Sequence, residues 1–200
     1  MSRLPVSSEL NKIANAITRS EGRGILVGGA VRDHFMDRRI SKDLDVEVFG
    51  LSMEKLESVL KQFGNIHAVG KSFGVLKLKT TTAEYDFSLP RREQKTGKGH
   101  RGFKIITDPA MSFEEAASRR DFTVNSMGYD LLEKNLLDPF EGIKDIKNKK
   151  LRHVGPAFAE DPLRVYRAMQ FSARLEFNIS SHTAKFCRKL ELSELPRERI

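Results

Sequence analysis

Two glycines, Gly28-Gly29, close a short apolar run, and after a helix-length gap comes Asp43-Leu44-Asp45-Val46-Glu47-Val48-Phe49; together they constrain the fold more than any other stretch. The run over 24–27 predicts a strand that turns at the glycines into a helix over 30–36. Glycine lets the backbone approach a ligand closely, and the free N–H groups of a helix start favour an anion. The second stretch alternates with a period of two, so Asp43, Asp45 and Glu47 share one strand face while Leu44, Val46 and Val48 share the other. Carboxylates ranked along one face repel each other unless they are protonated or bound to cations, and Mg²⁺ suits them because it takes oxygen ligands and keeps waters and phosphates in its shell.

Two ions bridging an attacking oxygen and a phosphoryl group call for a third carboxylate. Asp86, in the strand-like stretch over 83–89, is the first choice; Glu84 has the same parity, and Glu47 is a further candidate. By itself a DxD pair is most often a solvated strand edge. The glycine pair is neither a Walker A loop nor GxGxxG, so P-loop and Rossmann readings lose their usual support.

The pattern becomes specific when the motifs are taken in order. Leu26-Val27-Gly28-Gly29-Ala30-Val31-Arg32-Asp33 precedes Asp43-Leu44-Asp45-Val46, and then comes Arg119-Arg120-Asp121-Phe122-Thr123-Val124-Asn125-Ser126-Met127. Asp138-Pro139-Phe140-Glu141-Gly142 and Glu160-Asp161-Pro162-Leu163-Arg164-Val165-Tyr166-Arg167 complete the set. This series resembles the class II tRNA nucleotidyltransferase and bacterial poly(A) polymerase family, and is most similar to the proteobacterial CCA-adding enzymes.

The resemblance implies an α+β fold: a polymerase-beta-type nucleotidyltransferase head with a mixed sheet and helices over 1–150, then an all-helical neck over 151–200 that stops before the family's body and tail. It implies that Asp43 and Asp45 hold the catalytic Mg²⁺, with Asp86 near the third acidic position. Arg32, beside Gly28 and Gly29, would meet the incoming triphosphate. Arg119, Arg120, Asp121 and Asn125 would hold ribose and phosphates. Asp161 and Arg164 would read the Watson–Crick edge of CTP or ATP, supported by Arg167. The polar, glycine-rich stretch over 91–102 is expected to be a mobile loop, in which Arg92, Glu93 and Lys95 echo the family's Arg-x-Glu-x-Lys pattern.

Some of these roles have a rationale in the residues themselves. In a helix over 161–172, Asp161, Arg164 and Arg167 recur every three residues and share a face, where a carboxylate and a guanidinium can offer acceptors and donors to a base. Ordinary surface ion pairs on a capped helix explain the same spacing. Paired arginines can clamp phosphate oxygens while a neighbouring aspartate orients one of them; an exposed charge run is the plain alternative.

Composition agrees without deciding. Thirty-five Lys and Arg against 27 Asp and Glu leave a net charge of +8, which favours a polyanionic partner. The expected partners are tRNA, with CTP and ATP as substrates; no membrane and no protein partner are implied. The single Cys187 excludes an intrachain disulfide and is expected to be a small buried hydrophobe. With no signal peptide and no run long enough to span a bilayer, a cytoplasmic protein is expected. The expected activity is Mg-dependent, template-independent building or repair of the tRNA 3′ CCA end with pyrophosphate release, weakened or lost in a shortened chain. The alternatives are a poly(A) polymerase, a partial CC-adding or A-adding enzyme, and an inactive RNA-binding module.

Overall fold

A strand pair with opposite characters on its two faces organises the first part of the chain. The computed structural model describes residues 3–39, 44–67, 74–95, 103–190 and 192, with backbone alone at 92–95 and 103–105. Asp43 and residues 96–102 therefore lie outside the described residues. The chain divides into two units, Met1–Ala116 with Gly128–Leu137, and Ala117–Met127 with Asp138–Ile200.

In the first unit, α1 (Ser8–Arg19) starts at Ser7, whose hydroxyl accepts from the Leu10 N–H. It leads to β1 (Arg23–Val27), α2 (Gly29–Phe35), β2 (Leu44–Phe49), α3 (Met53–Leu60), β3 (Asn65–His67), β4 (Val75–Lys79) and β5 (Glu84–Ser88). A hairpin of β6 (Arg91–Lys95) and β7 (Phe103–Thr107) follows, then α4 (Phe113–Ser118), β8 (Gly128–Asp130) and β9 (Leu136–Leu137). Seven strands form one sheet in the order β3-β4-β5-β2-β1-β8-β9. The sheet is mixed because β2 and β5 run parallel while every other neighbouring pair is antiparallel.

Helices cover both faces of the sheet. A Cβ on Gly24 would meet Ile17 of α1 and Val46, which sets α1 on the Val46 face. Ile25, Val27 and Phe49, of the opposite parity, cluster with Met111, Ala116 and Phe113, so α4 covers the other face. The reason is visible in β2, where Phe49 ends the carboxylate row with an apolar side chain that needs its own cover.

The loop expected over 91–102 is corrected in its first part, because 91–95 is a strand paired with β7. Arg92 lies opposite Ile106, Glu93 opposite Ile105 and Lys95 opposite Phe103. The apolar, β-branched run of β7 supplies a ladder that outweighs the polar composition of its partner.

The second unit holds a 3₁₀ turn at Thr123–Asn125, α5 (Gly142–Lys147), β10 (Lys150–Leu151), a 3₁₀ helix at Pro156–Glu160, α6 (Leu163–Leu175), β11 (Asn178–Ile179) and α7 (Ser181–Cys187). Beyond residue 150 the chain is not all helical, since β10 and β11 form a parallel pair. Asn178 donates its N–H to the Lys149 carbonyl and Ser180 to that of Leu151, so this short ladder ties the segment after α6 to the strand that starts it. Cys187 is partly exposed rather than buried, and desolvation pushes its thiol pKa up.

Candidate active site

The glycine turn is a backbone requirement. Gly28 has φ 72° and ψ −135°, outside the range open to other residues without strain, and its carbonyl accepts the Arg32 N–H at 3.2 Å. Arg32 is 2% exposed, and its Nε and Nη2 donate to Asp33 Oδ1 at 2.8 and 2.7 Å. A Cβ on Gly29 would stand 3.5 Å from Arg32 Nη2, which puts a buried positive charge directly beneath the turn.

Asp45 follows from the same register. It lies opposite Val27, the last residue before the glycines, on one side, and opposite Asp86 on the other. Adjacent strands run about 4.8 Å apart, so the two carboxylates leave neighbouring strands on one face. Lys77 Nζ lies 3.1 Å from Asp86 Oδ2 and offsets part of that charge. The other two candidates stand differently. Glu84 is exposed and paired with Lys79 at 3.1 Å, while Glu47 is buried opposite Ile25.

Asp45 and Asp86 are hard oxygen donors of the kind Mg²⁺ takes. Among the described residues no group of three or more His, Cys, Asp or Glu could hold a metal ion. A cavity of 680 Å³ lined by Leu4, Leu10, Leu26, Leu44 and Tyr85 belongs to the opposite parity of β2 and β5, away from the carboxylate row.

In the second unit, Asp121 and Asn125 of the expected ribose and phosphate residues share one hydrogen-bonded network. Asp121, 7% exposed, is its hub: Oδ1 accepts from the Phe122 N–H at 2.8 Å and from Asn125 Nδ2 at 3.0 Å. Its Oδ2 takes Arg167 Nε at 2.8 Å and Nη2 at 2.6 Å, a two-point pair that fixes the guanidinium plane. Arg119 pairs with Glu160 at 2.7 Å, and the Arg119 carbonyl accepts Arg164 Nη2 at 2.7 Å. Arg164 Nη1 reaches the Ala157 carbonyl at 2.6 Å. Arg120 lies just past α4, its N–H on the Ala117 carbonyl.

Asp161 is not in the helix expected over 161–172. It is extended at φ −126° and ψ 104°, and α6 begins after Pro162. A residue before proline is pushed out of helical geometry by the ring, so Asp161 serves the first turn from outside. Its carboxylate accepts the Leu163 N–H at 3.1 Å and its carbonyl the Arg164 N–H at 3.0 Å.

Sequence reasoning missed Glu160 as the partner of Arg119 and Lys77 as that of Asp86. It also missed the buried Asp145, whose Oδ2 accepts from the Thr123 hydroxyl at 2.6 Å and from Arg152 Nε at 2.9 Å. Glu160 stands inside a quoted motif, but nothing in its spacing from Arg119 announces the pair.

Residues 25–152 match the family described as the Poly A polymerase head domain. A protein named Multifunctional CCA protein from Stenotrophomonas maltophilia is 42% identical over 182 residues, covering 88% of this chain and 43% of the relative. The chain thus spans less than half the length of the curated relatives it matches. Among solved structures, a tRNA nucleotidyltransferase complexed with a primer tRNA and an incoming ATP analog is similar at 31% identity and TM-score 0.76, over 94% of this chain and 53% of that one. The Bacillus stearothermophilus CCA-adding enzyme in complex with CTP is similar at 28% identity and TM-score 0.74, over 88% of this chain and 41% of that one.

Proposed function

Because the chain belongs to the Poly A polymerase head-domain family, we propose that it carries the catalytic part of a tRNA nucleotidyltransferase that adds CMP and AMP from CTP and ATP to a tRNA 3′ end and releases pyrophosphate. The observation that carries this reading is the register that sets Asp45 beside Asp86 next to the Gly28 turn. The names of the similar proteins supply the substrates: CTP in one solved complex, primer tRNA with an ATP analog in another.

Each residue then has a task. Asp45, with Asp43 two positions before it and Asp86 across the strand, would hold Mg²⁺, and the register supports Asp86 over Glu84 or Glu47 as the third carboxylate. Bound there, Mg²⁺ would lower the pKa of the attacking 3′-hydroxyl and offset charge on the leaving oxygens. Gly28 and Gly29 let a triphosphate approach the backbone, and the buried Arg32 charge beneath them favours it. Asp121 and Asn125, with Arg119 and Arg120, would orient ribose and phosphates. Asp161 and Arg164 would present donors and acceptors to the base of CTP or ATP, with Arg167 held in place by Asp121. Arg92, Glu93 and Lys95 would act in the rearrangement of the pocket between additions. The head is assigned to 1–150 and the neck to 151–200. Among the described residues no helix is long and apolar enough to cross a membrane, and a cytoplasmic location fits a tRNA-processing role.

A second reading has its own support, since the matching family is described by poly(A) polymerase. Incorporation of labelled CTP and ATP onto tRNA lacking CCA, lacking CA and lacking only the terminal A, with Mg²⁺ or EDTA, separates the readings. Ordered, Mg-dependent addition that Asp45→Ala abolishes supports CCA synthesis. Long A tails on unstructured RNA favour the polymerase, addition at one step alone a partial enzyme. RNA binding without any turnover favours an inactive module.

A further inference from the structure

We infer that Thr123, Asp145 and Arg152 are positioning residues that set the turn bearing Asp121 and Asn125, so that nucleotide affinity depends on a largely buried frame that itself never meets the nucleotide. The nucleotide part of this inference rests on the function proposed above.

The frame closes on itself. Thr123 is fully buried and opens the 3₁₀ turn; its hydroxyl donates to Asp145 Oδ2 at 2.6 Å and its N–H to the Arg152 carbonyl at 3.0 Å. Arg152 returns its side chain to the same carboxylate oxygen at 2.9 Å and gives Nη2 to the Phe140 carbonyl at 2.7 Å. One arginine therefore holds Thr123 twice, through its own carbonyl and through the carboxylate that takes the hydroxyl.

Three further contacts make the frame stiff. A bridge between Phe122 and His153 continues the pairing one residue to either side. Asp138 caps α5 with both oxygens, accepting the Gly142 N–H at 2.6 Å and the Ile143 N–H at 3.0 Å. Asp145, 4% exposed in the first turn of α5, is thereby held where Thr123 needs it. A buried carboxylate with two donors is costly to disturb, because losing one leaves charge without compensation.

The turn so held carries the proposed ligand groups. Asn125 lies two residues after Thr123, and Asp121, two residues before, fixes both Asn125 and Arg167. A shift at Thr123 moves all three together.

The test compares Thr123→Val, which keeps the shape and removes the donor, with Thr123→Ser, which keeps the donor. Two readouts are taken on the chain: affinity for CTP with Mg²⁺ by calorimetry, and hydrogen exchange at the amides of residues 123, 125 and 126. We expect Thr123→Val to weaken CTP binding about fivefold, the worth of one hydrogen bond, and to speed exchange at those amides while β1 and β2 stay protected. Thr123→Ser should restore both. Unchanged affinity and exchange in Thr123→Val overturn the inference, as does equal loss in both variants. Should the unmutated chain bind no CTP, the functional reading fails, and the exchange comparison still decides whether the frame holds the turn.

Discussion

Gly142→Ala pits two well-understood effects against each other, and the structure decides the sign. Gly142 is the first residue of α5, where helix propensity alone favours alanine by up to about 1 kcal/mol. A Cβ there would lie 2.5 Å from the Thr123 carbonyl oxygen and 2.8 Å from Met127 Cγ, whereas ordinary contact begins at 3.4 Å. The methionine can rotate, but the carbonyl is backbone and belongs to the turn in which the Thr123 and Asn125 N–H groups and the Thr123 hydroxyl are engaged. Something must give by 0.9 Å, the difference between 3.4 and 2.5 Å. Overpacking of this kind costs about 1–3 kcal/mol, centrally about 2, so after subtracting up to about 1 for propensity the net effect is a loss of about 1–2 kcal/mol, and a Tm lower by roughly 2–8 °C for a chain of this size. Urea unfolding followed by circular dichroism reads it as a lower midpoint at unchanged slope. A raised or unchanged midpoint would refute the reasoning, because it would mean that α5 moves off the turn freely and that the frame is slack.

Tyr129 is 2% exposed and its hydroxyl has no hydrogen-bond partner among the described residues, so Tyr129→Phe should raise the unfolding free energy from urea titration by up to about 1 kcal/mol; a loss of that size would reveal a partner. Burial, then His182 and Arg152, hold the His153 pKa below the ordinary 6.5, so the folded chain binds fewer protons than the unfolded one near that pH. Stability should therefore fall as pH drops through 6.5 and level off below the folded value; an identical pH slope in His153→Gln would sink the assignment. Arg164→Ala should blur discrimination between CTP and ATP more than it weakens Mg²⁺ dependence, measured as the ratio of their kcat/KM values, and an unchanged ratio would remove Arg164 from base reading.

Regular periodicity was legible where one face is buried and the other is not. Leu44–Phe49 is a strand within the stretch whose alternation predicts one. Parity, however, cannot tell Asp86 from Glu84, since both share a face of β5; only the register with β2, set by residues far apart in the chain, places Asp86 at Asp45. The β6–β7 hairpin escaped because its first strand is polar and draws its stability from its partner. The pairing of Lys150–Leu151 with Asn178–Ile179 escaped because two residues carry no pattern. The start of α6 was legible and misjudged, for Pro162 already excludes helical geometry at Asp161.

Asp45 and Glu47 on β2 also show why a strand can carry charge without losing its place in the core. Val46 and Val48, fully buried on the other face, lock the β1–β2 register, and a slip of one residue would send both into the carboxylate face. The depth of each acid then follows from what lies across from it. Glu47 sits opposite Ile25, inside the cluster with Phe49 and Met111, and is closed off from solvent. Asp45, two residues earlier, sits opposite Val27, where β1 ends and the glycine turn begins, and it is exposed. The same alternating pattern therefore yields a buried acid at one end and an open one at the other, because the neighbouring strand stops where the chemistry is proposed to start. Glu47 is accordingly the weakest of the three candidates for the third carboxylate, and Asp86, alongside the open end, the strongest.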